Sequence, residues 1–176
     1  MEFRFDPDLD YQQRAIQAVV RLFEGQPRQA PSLALLQGDG VVGNQLALDD
    51  ETLLANLRAV QTDPELQNGA PVPVAESLDS LDYSVEMETG TGKTYVYLRT
   101  IFELNKRYGF TKFVIVVPSV AIKEGVYKTL QITEDHFKGL YAGVPFDYFL
   151  YDSSKLGQVR NFATSSNIQI MVVTVG

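Results

Sequence analysis

The stretch "VEMETGTGKTYVYLRT", residues 85–100, decides the fold of this chain because it joins a glycine-rich turn to a helical pattern. The segment "YSVEM", residues 83–87, predicts a strand that leads into this turn. At positions 90 and 92 the turn has glycine and so lacks a Cβ atom, and residues 93–107 carry apolar side chains at helical spacing. A strand, a glycine-rich turn and a helix in succession are the setting in which main-chain N–H groups surround a phosphate.

The turn matches most of the phosphate-binding pattern G-x-x-x-x-G-K-[S/T]. Its last three positions are Gly92, Lys93 and Thr94, whereas Met87 stands where the pattern has its first glycine. Lys93 would reach the β- and γ-phosphates of ATP, and the Thr94 hydroxyl would bind Mg²⁺. The alternative is a plain flexible turn with a surface lysine. The flanking strand and helix favour nucleotide binding, in which the remaining contacts come from Glu88, Thr89, Gly90, Thr91 and Gly92.

Strands and helices alternate after the turn. Three further strands are predicted, at "KFVIVVP", "FDYFLYD" and "IQIMVVTVG". Two helices are predicted between them, "SVAIKEGVYKTLQ", which Ser119 opens, and "SSKLGQVRNFATS", which Ser153 or Ser154 caps. This alternation predicts an α/β fold with a parallel sheet flanked by helices. The β-branched run at residues 113–117 is typical of a strand buried on both faces.

Two helices are also predicted before the turn. The first, "DYQQRAIQAVVRLFEGQP", has an apolar stripe, with Asp10 placed to cap its start and Gly25 and Pro27 to stop it. The second, "DETLLANLRAVQ", follows an Asp50 cap. The rest of this region mixes glycine, proline and polar residues as loops do. We therefore expect an N-terminal helix segment at 1–26, an insertion at 27–82, and the first part of a nucleotide-binding domain at 83–176.

Composition excludes several classes of site. The 176 residues contain no cysteine, so disulfides and cysteine-based zinc sites are excluded, and the single His136 cannot form a multi-histidine metal site. No apolar run of membrane-spanning length occurs, and the acidic N-terminus lacks the apolar core of a signal peptide. These features predict a cytoplasmic protein without a membrane partner.

The charges are unevenly distributed. The net charge is −7, with 16 acidic and 5 basic residues at 1–88 and 6 acidic and 10 basic residues at 89–176. The acidic total argues against a free-standing DNA-binding protein. The basic second half can still present a local face that contacts phosphates, although unevenly spread solvated charges explain the pattern equally well.

Three stretches carry a family resemblance. "METGTGKT" resembles motif I of superfamily-2 helicases and translocases, "DYQQRAIQAVV" resembles the glutamine-bearing helix upstream of it, and "VVPSVAIKEGV" resembles motif Ia. With the "F-x-F-x-x-x-x-x-YQ" opening and "LFEGQP", the chain is more specifically similar to the Res subunit of type III restriction endonucleases. The resemblance spans nearly the whole chain, is strongest at residues 3–27 and 83–128, and is weak in the insertion.

The resemblance implies a partial RecA-like domain of an ATP-dependent DNA motor. In that family, the Res subunit carries a C-terminal nuclease and acts on double-stranded DNA with a methyltransferase (Mod) subunit. ATP and Mg²⁺ are the implied cofactors, and Gln12 would contact the adenine edge. The DNA backbone would be contacted by Pro118, Ser119, Lys123 and Thr174. For Ser119, the alternative of a simple helix N-cap remains open.

Other elements of such a motor are missing from these residues. No D-E-x-[HD] segment follows "IQIMVVTVG", and the chain contains neither a second RecA-like domain nor a nuclease motif. We therefore expect an N-terminal fragment that binds ATP weakly and does not hydrolyse it measurably. Two alternatives stay open: another superfamily-2 motor, such as a type I restriction motor subunit, and a nucleotide-binding domain without a motor role.

Overall fold

The computed structural model describes residues 5–30 and 40–175. These residues divide into two compact units. The loop unit contains Asp6–Pro27 and Leu46–Glu103, and the sheet unit contains the described residues within Met1–Phe5, Arg28–Gln45 and Leu104–Gly176. Part of the predicted insertion and the last residue of "IQIMVVTVG" lie outside the described residues. The predicted segment boundaries after residues 26 and 82 stay predictions.

The loop unit is helical. It contains α1 (Asp10–Arg21), α2 (Asp50–Thr62) and the greater part of α3 (Lys93–Tyr108). The end of α1 is tied to the end of α2 by an ion pair of 2.6 Å between Arg21 and Asp63. The Asn56 side chain of α2 also donates to two carbonyls that follow α1, those of Leu22 and Glu24. All three helices that periodicity predicted in this part of the chain are confirmed.

Two of the predicted caps in the loop unit are displaced by one residue. Leu9 occupies the N-cap position of α1 without a side-chain hydrogen bond, and Asp10 is the first helical residue, where its carboxylate still favours the helix N-terminus. Asp49, rather than Asp50, caps α2, because its Oδ1 accepts from the Thr52 N–H at 2.8 Å. The helices are therefore where the pattern predicts, and only their first residues differ.

The predicted strand at residues 83–87 is absent from the described structure, where this segment has no regular secondary structure. Ser84, Val85 and Glu86 are exposed. A strand needs a neighbouring strand for its main-chain hydrogen bonds, and none of the described residues forms a ladder with this segment. The prediction of a strand leading into the turn is wrong for this structure.

The sheet unit is built on three parallel strands, β1 (Lys112–Val117), β2 (Phe146–Leu150) and β3 (Ile168–Thr174). Their order is β1-β3-β2. The register pairs Val117 with Thr174, and Leu150 with Val172, so the three strands end at one edge of the sheet. The predicted α/β fold class with a parallel sheet, as expected of a partial RecA-like domain, is confirmed.

Helical crossovers connect these strands, as a parallel sheet requires. The first is α4 (Val120–Leu140), which packs against β2 and β3, and the second is α5 (Leu156–Thr164). The central strand buries Ile168, Ile170 and Val172, and α4 buries Leu130 and Phe137; none of these five is more than 1% exposed. Each such side chain contributes about 1.5–3 kcal/mol relative to an exposed one.

None of the helices in the described ranges is long and apolar enough to cross a membrane.

The expected burial of β1 on both faces is wrong. Val114 and Val116 are 49% and 59% exposed. Successive side chains of a strand point to opposite faces, and the described residues cover only one face of β1. The β-branched run therefore does not here indicate a strand that is buried on both faces; β1 is also an edge strand, paired with β3 alone.

The predicted serine caps of α5 are also wrong. The N-cap position of α5 is Lys155, which makes no side-chain cap hydrogen bond. Asp152 explains the shift, because its Oδ1 accepts from both the main-chain N–H and the hydroxyl of Ser154. The side chains that precede α5 are used in this turn instead of at the helix N-terminus.

Candidate nucleotide loop and nucleic-acid pocket

The nucleotide loop, residues 87–94, has two glycines in the left-handed backbone region. The φ angles of Gly90 and Gly92 are +81° and +82°, a conformation that costs a residue with a Cβ atom about 1–2 kcal/mol. An added Cβ at Gly92 would lie 2.6 Å from Gln12 Nε2, whereas one at Gly90 would meet nothing within 4 Å. The backbone conformation therefore favours glycine at both positions, and a neighbouring side chain also restricts Gly92.

Gln12 lies beside this loop. It is carried by α1 and is only 6% exposed. Its Nε2 donates to the main-chain carbonyl of Thr91 at 3.0 Å. The structure thus brings the predicted adenine-contacting residue to the loop, while its contact with adenine stays a prediction.

Two side chains of the loop donate hydrogen bonds to the main-chain carbonyl of Glu88. The Lys93 ammonium donates to this oxygen at 2.8 Å, and the Thr91 hydroxyl donates to it at 2.6 Å. Glu88, Thr89 and Lys93 are exposed. Lys93 is the first residue of α3, so its charge and the N-terminus of that helix coincide. Both features favour a negatively charged ligand, and the nucleotide contacts of this loop stay a prediction.

Thr94, the predicted Mg²⁺ ligand, is the second residue of α3 and is half-buried. It forms a hydrogen bond with Tyr97; burial raises the pKa of the Tyr97 phenol, and this hydrogen bond offsets part of the rise. Within residues 5–30 and 40–175, no three or more His, Asp or Glu side chains are grouped to hold a metal ion. One hydroxyl fits Mg²⁺ only where the nucleotide and water supply the other ligands, which is how Mg²⁺ is usually bound with phosphates.

Pro118 and Ser119 directly follow β1 and are exposed. The Ser119 hydroxyl accepts from the Ile122 N–H at 3.3 Å and so caps α4. The N-cap interpretation of Ser119 is confirmed. Because a hydroxyl also carries one donor hydrogen, capping is compatible with the predicted DNA contact, which stays a prediction.

A cavity of about 490 Å³ lies at the carboxyl edge of the sheet, entirely within the sheet unit. We call it the edge pocket. Its lining includes Lys123 from the first turn of α4 and Thr174 from the end of β3, two residues predicted to contact DNA. Pro118 and Ser119 are not among its lining residues. The structure therefore brings together two of the four predicted nucleic-acid residues.

The edge pocket also contains polar residues that no motif indicated, namely Asp152, Ser153 and Lys155. Lys155 Nζ lies 3.8 Å from Asp152 Oδ2. Hydrogen bonds from Ser154, and then the charges of Lys155 and Lys123, lower the pKa of the Asp152 carboxyl. Only their position in the sequence could have indicated these residues, because they follow β2 at the edge where open α/β sheets bind ligands.

A comparison with known families accounts for this combination of loop and sheet. The family described as "Type III restriction enzyme, res subunit" matches residues 7–175. The chain belongs to this family. The match includes Gln12, the nucleotide loop and the edge pocket, so it covers every predicted site residue.

Individual Res subunits agree with this assignment. The chain is 30% identical over 193 residues to the EcoPI Res subunit of Escherichia phage P1, and 29% identical over 196 residues to the EcoP15I Res subunit of Escherichia coli. Each alignment covers 99% of this chain and 19% of the relative. The StyLTI Res subunit of Salmonella typhimurium is 51% identical over 65 residues, which cover 36% of this chain and 7% of the relative. The chain thus spans about a fifth of the length of the first two relatives.

Proposed function

We propose that this Res-family chain binds ATP with Mg²⁺ through the nucleotide loop and contacts the backbone of double-stranded DNA through the edge pocket. In this proposal it forms the N-terminal part of an ATP-dependent DNA-translocating restriction subunit, which acts in the cytoplasm with a methyltransferase (Mod) subunit. The observation that carries the proposal is the Gln12–Thr91 hydrogen bond, which joins the predicted base-reading residue to the glycine-rich loop.

The loop residues have separate tasks in this proposal. Gly90 and Gly92 permit the backbone to turn around a phosphate, and the N–H groups at the start of α3 donate to its oxygens. Lys93 leaves the Glu88 carbonyl and pairs with the β- and γ-phosphates, where its charge is worth more than at a neutral carbonyl. Thr94 supplies one hydroxyl ligand to Mg²⁺. In the whole restriction subunit, ATP hydrolysis would supply the free energy for movement along DNA.

The DNA proposal rests on the position of the edge pocket and on the lysine and hydroxyl side chains that line it. Lys123 and Lys155 face one cavity at the carboxyl edge, and Ser153 and Thr174 add hydroxyl groups. Such side chains bind phosphate oxygens regardless of base sequence. Sequence recognition is therefore assigned to the Mod subunit rather than to these residues.

We also propose that the 176-residue chain does not hydrolyse ATP measurably. Phosphoryl transfer needs a metal ion held from more than one side, a positioned water molecule and positive charge at the γ-phosphate. In this proposal, the nucleotide loop contributes Lys93 and the Thr94 hydroxyl to these tasks. ATPase activity stimulated by DNA in this chain, and lost in Lys93→Ala, would contradict the proposal of inactivity.

The nucleotide proposal is tested by titrating the chain with a fluorescent ATP analogue in Mg²⁺. Lys93→Ala should weaken binding about tenfold or more, because a charge-assisted contact with the phosphates is lost. Lys106→Ala removes an exposed lysine from the other end of α3 and serves as the matched control. Equal affinities for all three proteins would reject the nucleotide site.

A further inference from the structure

The edge pocket contains as many carboxylates as lysines. Its charged lining residues are Lys123, Glu124, Asp152 and Lys155. Their formal charges cancel, so the free pocket has little net attraction for a phosphate. A phosphate at this place therefore has to compete with the carboxylates for the lysines.

Asp152 and Lys155 form the only ion pair among these four side chains that lies within 4 Å in the described structure. The two charged atoms are 3.8 Å apart, and the Lys155 and Asp152 side chains are 63% and 44% exposed. An exposed pair at this distance is weak, worth at most about 1 kcal/mol. Lys155 can therefore exchange the Asp152 carboxylate for another anion at little cost in free energy.

The Asp152 carboxylate and the Lys155 ammonium differ in their hydrogen bonds. The Asp152 Oδ1 atom accepts two hydrogen bonds from Ser154, at 2.9 Å from its N–H and 2.7 Å from its hydroxyl. Lys155 is bound through its main chain, which donates to the Asp152 carbonyl. Among the described residues, the Asp152 carboxylate thus has hydrogen bonds besides the ion pair, whereas the Lys155 ammonium has the ion pair alone.

The start of α5 strengthens the case for an anion. Lys155 occupies the N-cap position of this nine-residue helix, and no side chain caps it. The first N–H groups of a helix favour a negative ligand, and the helix dipole acts in the same direction. Lys155 therefore lines the cavity and also stands at the N-terminus of α5.

We propose that Lys155 is a further DNA-contacting residue, which pairs with Asp152 in the free chain and transfers to a phosphate of the DNA backbone when DNA enters the edge pocket. Asp152 then acts as an internal competitor of the phosphate and sets the affinity of the pocket. This inference rests on the proposed DNA contact of the same pocket and adds the residue pair that controls it.

The test is the binding of a fluorescent duplex oligonucleotide of mixed sequence to the full 176-residue chain, measured by anisotropy at several NaCl concentrations. Lys155→Ala should lower the salt dependence of log K by about one unit per decade of salt, since one phosphate contact is lost. Lys128→Ala, an exposed lysine on α4 outside the pocket, should leave both affinity and salt dependence unchanged.

Asp152→Asn distinguishes charge exchange from general charge effects. Asparagine keeps an oxygen for the Ser154 hydrogen bonds but removes the competing charge, so DNA should bind about two- to fivefold more tightly. Glu124→Gln removes one negative charge from the same pocket without breaking an ion pair and should give a smaller gain. In a Lys155→Ala background, the Asp152→Asn gain should fall by about half or more, because the pair no longer exists.

The outcomes separate the two proposals. If the wild-type chain does not bind the duplex, both the proposed DNA contact and this inference fail. If Lys123→Ala weakens binding while Lys155→Ala and Asp152→Asn behave as the wild type, the DNA contact stands and the inference fails. Replacing NaCl by sodium phosphate at equal ionic strength should not displace the duplex; displacement would assign the pocket to free phosphate and overturn the inference.

Discussion

The side-chain amide of Gln12 donates to the main-chain carbonyl of Thr91, 79 residues further along the chain, at 3.0 Å. This bond ties α1 to the nucleotide loop inside the loop unit. It gives Gln12 a task in the free chain as well as the proposed one at the base of the nucleotide. Support of the loop affects the binding of every nucleotide, whereas the proposed adenine contact affects adenine nucleotides alone. This difference can be measured.

Gln12→Ala should weaken ATP binding about tenfold, because a part-buried hydrogen bond to the loop is lost together with the proposed adenine contact. The effect on GTP should be smaller, since the donor and acceptor pattern of an amide is matched here to adenine. Titrations with both nucleotides measure the two effects. Gln17→Ala, a half-buried position on α1, is the control. Equal losses for ATP and GTP would leave Gln12 only its role of supporting the loop.

Gly90 and Gly92 form a matched pair for testing the loop. Gly90→Ala should lower the unfolding free energy by about 1 kcal/mol through backbone strain alone. Gly92→Ala should lower it by about 2–3 kcal/mol, because the new Cβ also displaces the Gln12 amide. Urea unfolding measures both values. In a Gln12→Ala background, the difference between the two variants should disappear, and a difference that persists would contradict the contact.

Ser119 separates helix capping from the proposed DNA contact. Ser119→Ala should lower the unfolding free energy by about 1 kcal/mol, since the cap to Ile122 is lost. Ser119→Asp keeps a capping oxygen, so stability should be retained, but its charge should repel a backbone phosphate. Urea unfolding and duplex binding are measured on both variants. Stable Ser119→Asp protein with wild-type DNA affinity would leave Ser119 as a cap only.

Lys112 should make stability depend on pH. Its ammonium donates to the Ser165 carbonyl at 2.5 Å and to the Thr111 hydroxyl at 3.1 Å, and burial lowers the pKa of this lysine to about 8. Because the unfolded chain keeps a higher pKa, it binds more protons above pH 8, and the folded chain gains stability as pH rises. The gain is clearest below about pH 9.5, before tyrosine ionisation begins. Above that pH, the raised pKa values of Tyr95 and Tyr97 act in the opposite direction and lower the stability of the folded chain as pH rises.

Urea unfolding at pH 7.5 and at pH 9.5 measures this effect. Lys112→Met removes the titrating amine, so the rise in unfolding free energy between the two pH values should be smaller than in the wild type. Lys106→Met, at an exposed position, should keep the wild-type rise. A Lys112→Met protein with the full rise would show that another group is responsible.

Elements with a strong period were predictable from the sequence, whereas their exact ends were not. The stripe that includes Ile16 and Val20 identifies α1, and both side chains are fully buried. Asp49 and Asp50 are adjacent, and either carboxylate can cap a helix, so composition cannot choose between them. The choice depends on which side chain reaches the Thr52 N–H in the folded chain.

Properties that depend on neighbours could not be predicted from local pattern. Residues 83–87 have the composition of a strand but no partner strand among the described residues. Val114 and Val116 have the pattern of an enclosed strand but lie on an uncovered face at the edge of the sheet. In the first case the deciding information is the presence of a partner strand, and in the second it is what covers the face of the strand; local propensity contains neither.

The candidate site likewise contains residues that could be predicted from the sequence and residues that could not. The nucleotide loop and Gln12 were predictable because each belongs to a short pattern with a mechanism. Lys155 and Asp152 belong to a turn without a motif, and they meet Lys123 only because β1 and β2, which precede them, end at the same edge of the sheet. Their grouping is a consequence of strand order rather than of sequence spacing.

The central claim is that the nucleotide loop holds the outer phosphates of ATP through Lys93. The most direct test is a calorimetric titration of wild-type and Lys93→Ala chains with ATP, ADP, AMP and adenosine in Mg²⁺. The wild type should bind ATP and ADP more tightly than AMP and adenosine, and Lys93→Ala should remove that advantage while leaving adenosine affinity unchanged. Equal binding of the four ligands by the wild type, or an unchanged series in Lys93→Ala, would contradict the claim.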